Sequence, residues 1–360
     1  MNVLLITPNL YPGGSQKILI SLINNLSTNT FILNFKKNEN FLLNLINDKS
    51  KVIHAQSRYT IFSFFELNKI IQEKNIDVVL SSIRTINILL GLYGFLFSKK
   101  IKLIFHEPNV LTEFESFTLR TIVRKILMTI SYYKAYKIIA NSNDTKKDLL
   151  NHKIVNNQKV IVISNPVDLH DDNIRLDDKF EKKLKEKKYI IISCGTLSYQ
   201  KNFELLIKAF NNIKINNNNI SLVILGEGPL EKKLKELSHK NNFNDEVLFL
   251  GNVKNPQSYF KKSDLYVCSS IFEGFGNTIV EAMLTGLPIV STNCPGGPKE
   301  ILDNGKNGFL VKNNSVDDLE KGILRSMKNP IKYSVQEIKK KYLSKNIAKK
   351  YENVFYETII

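Results

Sequence analysis

The chain has 360 residues, 43% of them hydrophobic, and 51 Lys+Arg against 34 Asp+Glu give it a formal net charge of +17. That length exceeds the roughly 250–300 residues at which one core divides, so two domains are expected, and the apolar fraction is enough for two cores. Cys194, Cys268 and Cys294 stand far apart with no Cys-x-x-Cys pair, which argues against a disulfide framework or a zinc site and for reduced thiols in the cytoplasm.

The apolar run before Pro8 is too short for a signal peptide, and no stretch approaches the ~18–20 apolar residues of a membrane span. The charge favours polyanions, phosphorylated substrates or anionic lipid, or else follows from an Asn-, Lys- and Ile-rich composition.

Short Val- and Ile-rich runs alternate with stretches of helical period, the pattern of parallel sheets covered by helices on both faces. Strands are predicted at 2–7, 30–35, 77–82, 101–106, 137–142 and 159–164, then at 189–195, 221–226, 246–251, 264–270, 287–292 and 308–311. Pro166 and an Asp cluster interrupt the pattern within 165–178 and mark a seam. The domains are expected at 1–167 and 168–340, followed over 341–360 by a helix that could pack back on the first domain. A ligand is expected between them, at the C-terminal ends of the strands. The segment "NNIKINNNNI" (211–220) reads as a solvated loop.

Candidate chemistry sits where strands end. "PNLYPGGSQKI" places Gly13 and Gly14 at a strand-to-helix turn, either to admit an anion to the helix amides or to supply positive φ. It lacks the Gly-x-Gly-x-x-Gly spacing of a dinucleotide site. His106 ends "IKLIFH", a placement that suits function as well as packing. Lys201, in "GTLSYQKNFELL", stands at a helix entrance where an ammonium can neutralise a diphosphate. "LGEGPL" (225–230) and "LGNVKN" (250–255) add two more strand-end loops.

"EGFGNTIVE" separates Glu273 from Glu281 around a Gly-rich turn. If a helix opens after Gly276, Glu273 precedes it and Glu281 lies about two turns inside, so the acids would touch different parts of one ligand. No Asp-x-Asp metal motif occupies a strand-end loop: Asp171, Asp172, Asp177 and Asp178 fall in the seam, and no metal is expected.

The block "SSIFEGFGNTIVEAMLTGLPIVSTNCPGGPKEILDNGKNGFLV" (269–311), with the Gly13–Gly14 turn and "GTLSYQKNFELLIKAF", closely resembles the retaining nucleotide-sugar glycosyltransferases of glycosyltransferase family 4. The resemblance covers nearly the whole chain. It implies an α/β fold of the GT-B class, two doubly wound Rossmann-like domains facing across a cleft.

It also implies a UDP-sugar donor whose sugar meets Glu273 and whose ribose is held by Glu281. Lys201 would bind the diphosphate, and the backbone of Phe275, Gly276, Asn277 and Thr278 would meet sugar and phosphate. Gly226, Glu227 and Val253 would enclose the base, while Gly13, Gly14 and His106 would close on the donor sugar from the first domain. Thr196 stands where many relatives carry Arg, which leaves Lys201 as the expected phosphate cation.

"NCPGGPKEIL" is similar to the branch that builds bacterial capsule, O-antigen and related surface glycans. It implies hexose or N-acetylhexosamine transfer to a lipid-linked or oligosaccharide acceptor at the cytoplasmic membrane face, without metal, cofactor or nucleic acid. A GT-B epimerase or phosphorylase, a dehydrogenase, and a basic binding protein are the alternatives.

Over 117–137, Ile122, Ile126, Met128, Ile130 and Tyr133 supply apolar bulk and Arg120, Arg124, Lys125, Lys134 and Lys137 supply charge. This suits an interfacial helix on anionic membrane or, with Leu127 and Ile130 turned inward, a helix packed on the sheet.

Overall fold

The computed structural model describes all residues except 12, 36–40, 56–63, 98–100, 112–117, 170–173, 187, 218, 240–244 and 358–360. Pro12, Asp171, Asp172 and the start of the 117–137 segment therefore lie outside the described residues. The chain divides into two compact units, Met1–Val167 with Lys341–Ile360, and Asp168–Lys340.

In the first unit the elements run β1 (Asn2–Thr7), α1 (Gly14–Asn25), β2 (Asn29–Asn34), β3 (Val52–His54), α2 (Phe64–Glu73), β4 (Val78–Ser81), α3 (Arg84–Tyr93), β5 (Lys102–Glu107), α4 (Leu119–Tyr133), β6 (Lys137–Ala140), α5 (Asn143–Asn151) and β7 (Val160–Val162). Every described pairing is parallel, in the order β3-β2-β1-β4-β5-β6-β7. Strands such as β1 are almost wholly buried because helices cover both faces, which is why they read as unbroken apolar runs.

The second unit continues with α6 (Asp178–Lys185), β8 (Tyr189–Cys194), α7 (Phe203–Asn216), β9 (Ile220–Leu225), α8 (Glu231–His239), β10 (Val247–Phe249), α9 (Pro256–Phe260), β11 (Leu265–Cys268), α10 (Asn277–Leu284), β12 (Ile289–Thr292), α11 (Pro298–Ile301), β13 (Phe309–Val311) and α12 (Val316–Lys328). Its sheet is parallel, in the order β10-β9-β8-β11-β12-β13. Both units are thus doubly wound, Rossmann-like α/β folds.

Three local readings change. Residues 211–216 are helix rather than loop, because Leu206, Ala209, Phe210 and Ile213 carry the buried face of α7 on through the Asn-rich stretch. Two helices, α13 (Val335–Tyr342) and α14 (Ser344–Tyr356), replace the single C-terminal one. They part at Leu343, whose backbone is extended and bridges to Val167.

Ile347, Tyr351, Val354 and Phe355 of α14 share a core with Val3 and Leu5 of β1 and Leu22 of α1, and Ser21 Oγ donates to Ser344 Oγ at 2.5 Å. The edge strand β3 has no counterpart among the predicted strands.

Among the described residues no disulfide forms and no helix is long and apolar enough to cross a membrane.

Candidate functional site

In the second sheet the chain winds outward in one direction from β8 and in the other from β11, and these two strands are neighbours. The turns that leave their C-terminal ends therefore lie side by side at the switch point, the place where ligands bind in open α/β sheets. After β8 the chain makes a 3-10 turn, Tyr199–Lys201, and enters α7 through Asn202 in the left-handed region. After β11 it runs through Ser269 to Gly276 and enters α10.

Backbone and side-chain bonds tie the two turns together. Ile271 N–H donates to Gln200 O at 2.8 Å, Gln200 Nε2 to Phe272 O at 3.0 Å, and Ser269 Oγ to Lys201 O at 2.9 Å.

This stitching brings Lys201 Nζ to 2.5 Å from Glu273 Oε1, with the two side chains only 19% and 7% exposed. Ser270 Oγ donates to the same carboxylate oxygen at 2.6 Å. Burial pushes the Lys201 ammonium down, but the Glu273 carboxylate pushes it up further and holds it above the ordinary lysine range. Cys268 itself is raised by burial and by Glu273, so it is a neutral thiol lining a charged pair.

The loop after β12 supports Glu273 from behind. Glu273 N–H donates to Pro295 O at 2.9 Å, and a Cβ at Gly296 would fall 1.9 Å from Glu273 O.

Gly276, at φ 107°, caps α10 with no side-chain bond. A left-handed cap of this kind is cheap only for glycine, and it turns the first amides of the helix toward the preceding loop. Tyr266 OH donates to Thr278 Oγ1 at 2.7 Å and pins the first turn. Phe275 is buried, so its side chain is not presented to a ligand. Glu281 is the fifth residue of α10, a little over one turn inside rather than two. Glu273 stays in the loop before the helix, so the two acids are separated by the first turn of α10.

The loops after β8, β9 and β10 converge as well. Gly226 N–H donates to Gly251 O at 2.7 Å and Leu197 N–H to Glu227 O at 2.9 Å. The Glu227 carboxylate accepts from Asn252 N–H at 3.3 Å and from Asn252 Nδ2 at 3.0 Å, next to the half-buried Val253. A Cβ at Gly226 would lie 2.1 Å from Gly195 O, so this approach excludes any larger residue. Thr196 is exposed on the turn between these loops.

The remaining candidates belong to the first unit. Gly13 precedes α1 with φ −161°, ordinary extended backbone, so the positive-φ reading of this turn is not needed. A Cβ there would instead meet Gln16 Oε1 at 2.5 Å. Gly14 opens the helix. Ser82 Oγ donates to Ser15 O at 3.1 Å, joining the turns after β1 and β4 at the switch point of this sheet.

β5 runs one residue beyond His106, and the imidazole is fully enclosed. Burial lowers it to about 4, and the neighbouring Asn165 side chain offsets only part of that, so the ring is neutral.

Sequence reasoning passed over Glu107 beside it. Arg84 reaches this fully buried carboxylate at 2.6 Å and Tyr132 OH donates to it at 2.8 Å. Arg84 also bonds Asn109 O at 3.0 Å, which fixes the loop after β5. An acid at a strand end in "HEPN" was the available signal. Ser270, three residues before Glu273, was likewise missed. Among the described residues no group of three or more His, Cys, Asp or Glu side chains could hold a metal.

Residues 175–350 match the family model of glycosyl transferases group 1, and residues 36–171 match that of Glycosyltransferase Family 4. An uncharacterized glycosyltransferase of Methanocaldococcus jannaschii is 30% identical over 279 residues, 74% of this chain and 69% of that one. The chain belongs to the family 4 glycosyltransferases.

Another relative of this family 4 member is N-acetylgalactosamine-N,N'-diacetylbacillosaminyl-diphospho-undecaprenol 4-alpha-N-acetylgalactosaminyltransferase of Campylobacter jejuni, 30% identical over 243 residues, 65% of this chain. The match spans 62% of that relative's length. The crystal structure of Anabaena HepE in complex with UDP-glucose superposes with a TM-score of 0.83 at 19% identity, covering 99% of this chain and 100% of that one. That likeness places the fold in the GT-B class.

Proposed function

We propose that the chain moves a hexose or N-acetylhexosamine from a UDP-sugar to a lipid-linked or oligosaccharide acceptor, with retention of configuration and without a metal, in the assembly of a bacterial surface glycan. The observation that carries this reading is the enclosed contact between Lys201, on the turn into α7, and Glu273, on the loop that leads into α10.

In the reaction the bond between the anomeric carbon and the diphosphate oxygen breaks. The charge left on the phosphate is met by the Lys201 ammonium and by the first amides of α10. The acceptor hydroxyl attacks from the face the diphosphate leaves, forms the new C–O bond, and passes its proton to the departing phosphate oxygen. No protein base is needed. Glu273, held by Ser270 and Lys201, orients sugar hydroxyls and favours positive charge at the anomeric carbon.

Glu281 takes the ribose, Gly226, Glu227 and Val253 take the base, and Gly13 and Gly14 approach the sugar. His106 reaches sugar or acceptor only if its enclosed ring is uncovered. The name of the Campylobacter relative, which specifies an alpha-linked sugar and a diphospho-undecaprenol, supports retention and a lipid-linked acceptor.

The deciding experiment is nucleoside diphosphate release from a panel of UDP-hexoses, UDP-N-acetylhexosamines and the matching GDP- and ADP-sugars in EDTA, with the anomeric configuration of the product read by NMR. Turnover that requires a divalent cation, an inverted product, or preference for another nucleotide would each refute the corresponding part.

A further inference from the structure

We infer that α4 is a docking surface for an anionic lipid bilayer. Its buried side is narrow: Met128, Ser131 and Tyr132 face the core, so Met128 is not part of any outer face. Leu127 and Ile130, which a packed helix would turn inward, are exposed together with Leu119, Ile122, Val123, Ile126 and Tyr133. Leu119 and Tyr133, at the two ends, are 78% and 74% exposed.

At 3.6 residues per turn these seven side chains fall within an arc of about 140°, a continuous stripe some 22 Å long. Phe95 and Leu96, just past α3, are exposed as well, and Lys134 Nζ lies 4.0 Å from the Phe95 ring centroid, so they extend the same surface. An apolar area of this extent facing outward marks a contact site.

Charge selects the occupant. Arg120 and Arg124 lie along one flank of the stripe, Lys125 lies on the other, and α4 carries no acidic residue. Two copies meeting face to face would bring these cations together, which disfavours self-association. A ridge of apolar side chains bordered by cations fits a lipid interface, the chains entering the acyl boundary and the cations meeting anionic headgroups. The inference rests on exposure and charge alone, so failure of the sugar-transfer reading would leave it standing.

The test is sedimentation of the full chain with phosphatidylcholine vesicles, with and without phosphatidylglycerol, as salt is raised. Binding is expected only to the anionic vesicles and should weaken with salt. Two sets of surface changes, Ile122→Ser with Ile126→Ser and Ile130→Ser, and Arg120→Glu with Lys125→Glu, should each lower the bound fraction about tenfold.

The chain contains no Trp. Ile126→Trp therefore gives a single reporter, whose emission should shift to the blue on anionic vesicles, whatever the multiple variants do to folding. Three results would overturn the inference: no binding by the parent, no blue shift, or a parent dimer that the Ile→Ser set converts to monomer.

Discussion

Lys201 and Glu273 meet where little water reaches, so removing either leaves the other charged and enclosed. Losing one partner of a buried pair costs about 3–5 kcal/mol, whereas neutralising both costs far less. Lys201→Met should therefore be much less stable than the parent in urea unfolding, and Lys201→Met with Glu273→Gln should regain most of the loss while remaining inactive in sugar transfer. Equal destabilisation in the single and double variants would show that the two charges are not coupled.

Glu281 sits further along α10, so Glu281→Ala should weaken UDP binding itself by about tenfold, and Glu273→Gln should spare UDP and lower turnover. Calorimetry with UDP alone separates the two, and equal losses would merge their roles. His106 offers a check by pH. Its enclosed imidazole titrates at about 4 against an ordinary 6.5, so the unfolded chain binds the extra proton between those values. Its contribution is full above pH 6.5 and is lost as pH falls toward 4, by up to about 3 kcal/mol. His106→Gln should flatten stability between pH 6.5 and 5, and an unchanged slope would assign that loss to other groups.

At the scale of elements, the site depends on how closely the β12–α11 loop lies against the loop before α10. Gly297 has φ −75°, which any residue adopts, yet a Cβ there would fall 2.0 Å from Phe275 O. Gly305 is the converse: φ is 97° and nothing lies within 4 Å. Gly305→Ala should cost about 1–2 kcal/mol through backbone strain and leave transfer intact. Gly297→Ala should displace the Glu273 loop and abolish transfer, and parent-like turnover in that variant would show that the close approach is dispensable.

The sequence showed the strands of both sheets wherever they are doubly buried, because β1, β4, β8 and β9 are apolar on both faces. It did not show β3, whose three residues are only half-buried at the sheet edge. The Asn-rich end of α7 was hidden by composition although Ile213 kept the helical period. That Lys201 and Glu273 each follow a strand and precede a helix was legible, because the apolar runs on either side of them are short and clear. That they touch was not, since it depends on bonds between turns some seventy residues apart, such as Ile271 N–H to Gln200 O.

At the scale of the whole chain, the two units differ in how their sequence is assembled. The second is one continuous segment, whereas the first is completed by the last residues of the chain. α14 supplies Ile347, Ala348, Tyr351, Val354 and Phe355 to the core that holds β1 and α1. Glu352 accepts from both Ser27 N–H at 2.5 Å and Ser27 Oγ at 2.6 Å, which fixes the helix beside the turn into β2. Burying a large apolar side chain contributes about 1.5–3 kcal/mol, so losing these five, one of them the smaller Ala348, removes roughly 7–13 kcal/mol. A domain is typically stable by only 5–15 kcal/mol. A chain ending at Leu343 keeps the bond from Val167 N–H to Tyr342 O and loses only α14. In that chain the amides of β1 and α1 should lose hydrogen-exchange protection while those of β8 and β9 keep it, because the described residues of the damaged core all belong to the first unit. Slow exchange persisting in β1 would mean that α14 only decorates the first unit, and uniform loss in both units would mean that the two fold as one.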